Sequence, residues 1–269
     1  MNIIDSANLT NLKKLWRLYG ATTLYRDDMF TLNAVRHWPH RHWLDSSASA
    51  LTEELFEKEH HEKLLTLIQK ISHNAIFALW QTVGKSNIHQ AIKSHLLSNG
   101  WQKSFKQTAM YLPLNHQHLL PESPTLTLTP VRSRKQVEEW CHIGSAAFNY
   151  HIDINAILPL LSNNQVVMYL ASTGSVNVGA SMLLHSETCS GVHQMGVLPT
   201  HQGKGYAKAI MVALINQCIT LNIKHLVLQA SQAGLPLYKK LGFIEQFTIE
   251  NFQFFDIDND TTRINNKCP

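Results

Sequence analysis

The sequence predicts a layered α/β fold, with helices packed on a mixed sheet. Three observations carry this reading. Apolar residues alternate between the step of two that marks strands and the step of three or four that marks helices. Hydrophobic residues make up 44% of the 269 and charged ones only 16%, enough for one large core or two ordinary ones. Nine of the twelve glycines lie in the second half, so the backbone that turns tightly or approaches a ligand is concentrated there.

In the first half, residues 9–19 (LTNLKKLWRLY) place apolar side chains at 12, 15, 16 and 19, a helical spacing. Residues 50–71 repeat the theme, with Leu51, Leu55, Phe56, Leu64, Leu65, Ile68 and Ile71 on one face and charged residues on the other. AIFALW (75–80) reads as a short buried strand. IHQAIKSHLLSNGW follows as a helix closed by Asn99-Gly100, and QTAMYLPL as a strand. The stretch 115–131 (NHQHLLPESPTLTLTPV) holds three prolines and reads as a linker. It divides the chain into a domain of residues 1–122 and a domain of residues 123–269.

In the second half, TLTLTPV (125–131) is a strand and residues 134–149 a helix. INAILPLL is a short helix limited by Pro159. QVVMYLAST and SVNVGASMLLHS are two strands turned at Gly174, and CSGVHQMGVLP is a third. Residues 205–221 form a long helix, KHLVLQAS a strand, LPLYKK a helix, and FIEQFTIENFQFF two terminal strands.

Several function classes are disfavoured. No run of about 18 apolar residues suggests a membrane span, and the start lacks the charged and apolar regions of a secretory signal. Cys141, Cys189, Cys218 and Cys268 are dispersed, which suits a reducing cytoplasm. The net charge of +4 is spread evenly: 13 Lys and Arg against 10 Asp and Glu up to residue 123, and 10 against 9 beyond it. A nucleic-acid binder would concentrate its cations in a stripe, so neither nucleic acid nor membrane is expected as a partner. Ten of the sixteen histidines precede residue 120, including His37, His40 and His42, the pair His60 and His61, and His116 with His118. No HExxH or companion ligand spacing accompanies them, so a structural or surface role is expected, and no metal.

The chemistry concentrates at Gln202, Gly203, Lys204, Gly205, Tyr206 and Ala207, between a strand and a long helix. Glycines there let successive backbone N–H groups face one concavity, and the helix start adds its unpaired N–H groups and positive dipole end. A diphosphate suits such a loop. The spacing is neither that of a P-loop nor that of a dinucleotide fingerprint.

Gln202, Gly205 and Ala207 match the [Q/R]-x-x-G-x-[G/A] motif of the GNAT superfamily of N-acetyltransferases, and Leu237, Tyr238, Gly242 and Phe243 match its second block, L-Y-x-x-x-G-F. Residues 124–256 thus resemble a whole GNAT domain. The resemblance implies a mostly antiparallel mixed sheet flanked by helices, with acetyl-CoA as co-substrate. Its pyrophosphate would sit on the amides from Gln202 to Lys208, and its pantetheine arm along Gly196, Val197 and Leu198, with Ser231 offering a hydrogen bond. It also implies direct attack of a primary amine, from a small molecule or a protein, on the thioester.

Tyr238 occupies the position of the family's proton donor to the departing thiolate; otherwise it is a packed ring. The family's frequent glutamate falls at Gly191, which leaves His193 on the same strand face either as the base or as a structural histidine. Ser231 and Gly234 stand where Asn and Ala are frequent. A catalytically weak CoA-binding regulatory or scaffold protein is the alternative to an enzyme. HLLSNGWQKSFKQTAMYLPL resembles the end of a second, degenerate GNAT domain, but it equally suits an unrelated α/β domain.

Overall fold

Local signals start and stop the helices. We describe a computed structural model of the chain covering residues 2–46, 58–71, 74–80, 87–114, 119–123 and 125–254. Its strands in chain order are β1 (Thr22–Arg26), β2 (Phe30–Ala34), β3 (Arg41–Ser46), β4 (Ile76–Trp80), β5 (Trp101–Pro113), β6 (Thr127–Pro130), β7 (Val166–Thr173), β8 (Val176–His185), β9 (Ser190–Val197), β10 (His225–Ala230) and β11 (Ile244–Phe254). The helices are α1 (Ile3–Leu18), α2 (Lys58–Gln69), α3 (Asn87–Ser98), α4 (Arg134–Phe148), α5 (Ile154–Ile157), α6 (Tyr206–Thr220) and α7 (Leu235–Lys240). Ser133 opens α4 with a reciprocal capping box to Gln136, and Asn149 closes it in the left-handed conformation.

The described residues form two compact units. One runs from Trp16 to Gln107 and takes in β11 from Phe247 onward; the other comprises Asn2–Leu15 and Thr108–Gln246. The proline-rich stretch near residue 122 therefore lies inside the second unit, and the units interleave along the chain instead of dividing there. Each unit contains strand residues from the other half of the sequence.

In the second unit the strand order is β5-β10-β9-β8-β7-β6, antiparallel throughout except for the parallel pair β9 and β10. Ile210, Met211, Leu214, Ile215 and Cys218 of α6 form a core with Leu183, Val192, Leu226 and Leu228. Val137, Trp140, Cys141 and Gly144 of α4, at steps of three and four, are also buried. The Trp140 indole donates to the Ser181 carbonyl at 3.0 Å, which satisfies the one polar group this large ring brings inside.

In the first unit β1, β2 and β3 run antiparallel, β3 lies parallel to β4, and β11 is antiparallel to β4. Phe77, Leu64, Ile68, Ile92, Leu96 and Phe252 fill its core. The parallel pairing is brief, Arg41 with Ile76 and His42 with Phe77. Trp16 packs on Trp43 and Trp80, with ring centroids 5.0 and 6.5 Å away.

Three differences from the sequence reading stand out. Residues 22–46 carry three strands that the apolar spacing did not declare. The terminal segment is one strand, because nothing turns the chain between Ile244 and Phe254. α1 begins at Ile3, six residues before the apolar spacing that announced it. Leu51, Leu55 and Phe56 of the expected 50–71 helix, and His116 and His118, lie outside the described residues. His42 is buried on β3 with Nδ1 3.3 Å from the His40 carbonyl, and no group of three potential metal ligands gathers among the described residues. Among them, too, no helix is long and apolar enough to cross a membrane.

Candidate active site

The site begins where two parallel strands part. β9 and β10 pair at Ser190–Leu226, Gly191–Val227 and Val192–Leu228, and no further, although β9 continues to Val197 and β10 to Ala230. A bulge starts the divergence: Gln194 and Met195 of β9 together oppose the single Ser181 of β8, and Gln194 has φ of 49°. Its side chain accepts a hydrogen bond from the Tyr150 hydroxyl at 2.7 Å. The forked strands leave the β10-facing edge of residues 193–197 without a strand partner in this register.

The glycine loop closes one end of the fork. Gly203 (φ 76°) and Gly205 (φ 84°) adopt conformations that L side chains resist, and a Cβ at either would meet nothing within 4 Å. Both the backbone shape and the open space above it therefore depend on glycine. Gly205 caps α6 with no side-chain bond to the first turn, so the helix offers its leading N–H groups outward, at Tyr206, Ala207 and Lys208. Gln202 turns inward, donating from Nε2 to the Val197 carbonyl at 3.0 Å, and Lys204 Nζ donates to the Thr200 carbonyl at 3.2 Å. Gln202 thus fastens the loop to the end of β9.

The remaining expected residues take more specific places. A Cβ on Gly196 would come within 2.6 Å of the Ala147 Cβ, so this glycine admits α4 against the strand. Val197 joins the core under α6, and the Leu198 N–H bonds the Val178 carbonyl at 2.9 Å. Ser231 Oγ accepts from the Gly234 N–H at 3.2 Å and starts the turn into α7. Tyr238 lies in the same core as α6, its ring edge-on to Phe243 at 5.7 Å. Burial pushes its phenol well above the usual range, so it stays protonated and able to donate. Gly234 belongs to that ring: a Cβ there would lie 2.9 Å from Tyr238 Cε2.

His193 sits on β9 immediately past the last paired residue and is buried, which lowers its pKa to about 4 and keeps the imidazole neutral near pH 7. Its Nε2 is 2.8 Å from Asn11 Oδ1 of α1. Gly191 faces the same spot; a Cβ there would lie 2.5 Å from His193 Nε2 and collide with Asn11 Oδ1. Tyr238 belongs to the α6 core, as Val192 does, whereas His193 faces α1. The two residues therefore approach the fork from opposite faces of the sheet.

Asn8, Asn11 and Gln229 also gather at the fork, where the sequence did not place them. The available signal was the spacing of Asp5, Asn8 and Asn11 at steps of three, a polar stripe that reads as a wet surface yet is buried along its whole length.

Residues 130–255 match the model of the acetyltransferase (GNAT) domain family. No curated protein matches the chain. Among solved structures, a GCN5-related N-acetyltransferase from Kribbella flavida is similar over 95% of this chain and 97% of its own, with a TM-score of 0.69 and 13% identity. A GCN5-related N-acetyltransferase from Sphaerobacter thermophilus is similar over 83% of this chain and 75% of its own, with a TM-score of 0.60 and 12% identity. A GCN5-related N-acetyltransferase-like protein from Streptococcus suis covers 92% and 100%, with a TM-score of 0.54 and 14% identity. At such identities the likeness speaks for the fold, and its coverage takes in both units. The N-terminal half therefore shares the GNAT-like fold instead of being an unrelated α/β domain.

Proposed function

We propose, from the match of residues 130–255 to the acetyltransferase (GNAT) domain family, that the protein moves an acetyl group from acetyl-CoA to a primary amine by direct attack. The observation that carries this reading is the strand fork ending in the Gly203–Gly205 loop at the start of α6. Open space over both glycines and the outward N–H groups of α6 suit a diphosphate. The unpaired edge of β9 from His193 to Val197 suits an extended amide-bearing arm, which would pair there like another strand.

In this reading the backbone holds the thioester while the flanking side chains manage protons. Nucleophilic attack forms the new C–N bond, and collapse breaks the C–S bond. His193 accepts the proton lost by the amine, and Tyr238 supplies one to the departing thiolate. The acceptor is a small molecule or a protein, the setting the cytoplasm, and no metal takes part. A second reading, a CoA-binding protein with weak catalysis, is favoured by two observations: no carboxylate occupies position 191, and His193 is buried.

Isothermal titration with acetyl-CoA tests the first step, alongside a Gly205→Trp variant that fills the open space over the loop. Micromolar binding lost in the variant supports the reading, and no binding by the intact protein sinks it. Turnover across an amine panel then separates the enzyme from the binding module.

A further inference from the structure

The fork is gripped from one helix. Asn8 and Asn11 of α1 lie one turn apart, and both are fully buried. Asn8 Oδ1 accepts from Gln229 Nε2 at 2.6 Å, on the β10 side of the fork, while Asn11 Oδ1 meets His193 Nε2 at 2.8 Å on the β9 side. His193 and Gln229 each directly follow the last paired residues, Val192 and Leu228, so they face each other across the opening. Neither asparagine amide is free to turn. Asn8 Nδ2 donates to the Met110 carbonyl at 3.0 Å and to Gln246 Oε1 at 2.5 Å, and Asn11 Nδ2 donates to the Leu184 carbonyl at 2.9 Å.

That last bond decides where the imidazole proton sits. A carbonyl only accepts, so the Leu184 oxygen fixes the Asn11 NH2 group and leaves Oδ1 as the acceptor toward His193. Nε2 must then carry the hydrogen, and Nδ1 keeps its lone pair. Gly191 makes the arrangement possible, because any side chain there would collide with the Asn11 amide.

We propose that Asn11 is a positioning residue for the reaction: it occupies the space of the acidic side chain missing at 191 and locks His193 as the Nε2–H tautomer, with Nδ1 presented to the attacking amine. Its catalytic part rests on the acyl-transfer reading; the tautomer does not. The charged and titratable groups on the elements packed here are Asp5 and Lys14 on α1, His185 on β8 and Cys189 just ahead of β9, whose thiol donates to the Ala7 carbonyl of α1 at 3.7 Å. Asp5 is bonded to Gln246, Lys14 Nζ to the His185 carbonyl and His185 Nδ1 to Ser190, none of them to the imidazole. Position and hydrogen bonding therefore set the state of His193, without a salt bridge.

Long-range proton–nitrogen correlation spectra of the 15N-labelled full chain at pH 7 test the tautomer. His193 should show a protonated Nε2 and a bare Nδ1, and the reverse pattern overturns the proposal. Asn11→Asp still offers an acceptor to Nε2–H. It should keep the tautomer and most of the turnover, while its charge moves the acid limb of kcat/KM to higher pH. Asn11→Leu removes the acceptor and should lose the fixed tautomer and about 100-fold in kcat/KM, with acetyl-CoA affinity unchanged. Equal turnover by both variants, differing only in melting temperature, would reduce Asn11 to packing and overturn the proposal. If the intact protein turns over no amine, the acyl-transfer reading fails and takes the catalytic part with it. Turnover with the wrong tautomer sinks this inference alone.

Discussion

At the scale of single residues, two glycines show how closely this site is fitted. Gly234 has an ordinary backbone conformation with φ of −81°, so the constraint on it is space: the Tyr238 ring fills the volume an alanine methyl would need. Gly234→Ala, a change toward the residue frequent in the family, should push the Tyr238 ring aside and reduce kcat more than acetyl-CoA affinity. Steady-state kinetics set beside those of Tyr238→Phe would check this, and an unchanged kcat would separate the ring's position from turnover.

Buried histidines make a second expectation at this scale. Burial lowers His42 and His193 from 6.5 to about 4. The unfolded chain therefore takes up protons near pH 6.5 that the folded chain refuses until about 4. Stability is fully present above pH 6.5 and is lost as the pH falls through that window, by about 3 kcal/mol per histidine at most. Urea denaturation at pH 7 and pH 5 should show the loss, and His42→Phe should flatten it; parallel curves for the two proteins would refute the assignment.

At the scale of elements, the legible parts were those whose spacing and punctuation agree. α4 has a Ser-x-x-Gln start and apolar steps of three and four, and β7 to β9 are apolar runs bounded by Gly174 and Pro199. The loop motif likewise stood out, because two left-handed glycines before a helix have few structural uses. β1 to β3 were illegible for the opposite reason. Each has five or six residues, and Asp27-Asp28 and the Trp38-Pro39-His40 corner between them read as loop chemistry. α1 was recognised as a helix, but the role of its polar stripe depends on backbone carbonyls more than a hundred residues away, which no local pattern announces. The bulge at Gln194 was equally hidden, since a positive φ there comes from the strand's partner and not from a residue type that favours it.

At the scale of the molecule, the two compact units interleave along the sequence. The second unit draws α1 from Asn2–Leu15 and the β5 residues 108–113, which pair antiparallel with the whole of β10 from His225 to Ala230. A fragment of residues 123–269 would leave β10 with an unpaired edge and His193 without Asn11. It should therefore aggregate or melt without cooperativity, whereas the full chain should unfold cooperatively. Size-exclusion chromatography and thermal melting compare them directly, and a monomeric, cooperatively melting fragment would show that α1 and β5 are dispensable.

The placement of β11 also bears on how the protein is made. Phe252 is fully buried in the first unit's core, and β11 pairs with β4 from Ile249 to Gln253. On the ribosome the first hundred residues emerge early but cannot complete their sheet until the chain has grown past Phe254. At ordinary elongation rates that wait is on the order of ten seconds. The described part of the second unit needs only segments up to Gln246, including the Asn2–Leu15 part of α1, which is already outside. The half translated last can thus close first, and the β4 edge of the first unit stays unpaired by β11 until the chain has grown past it.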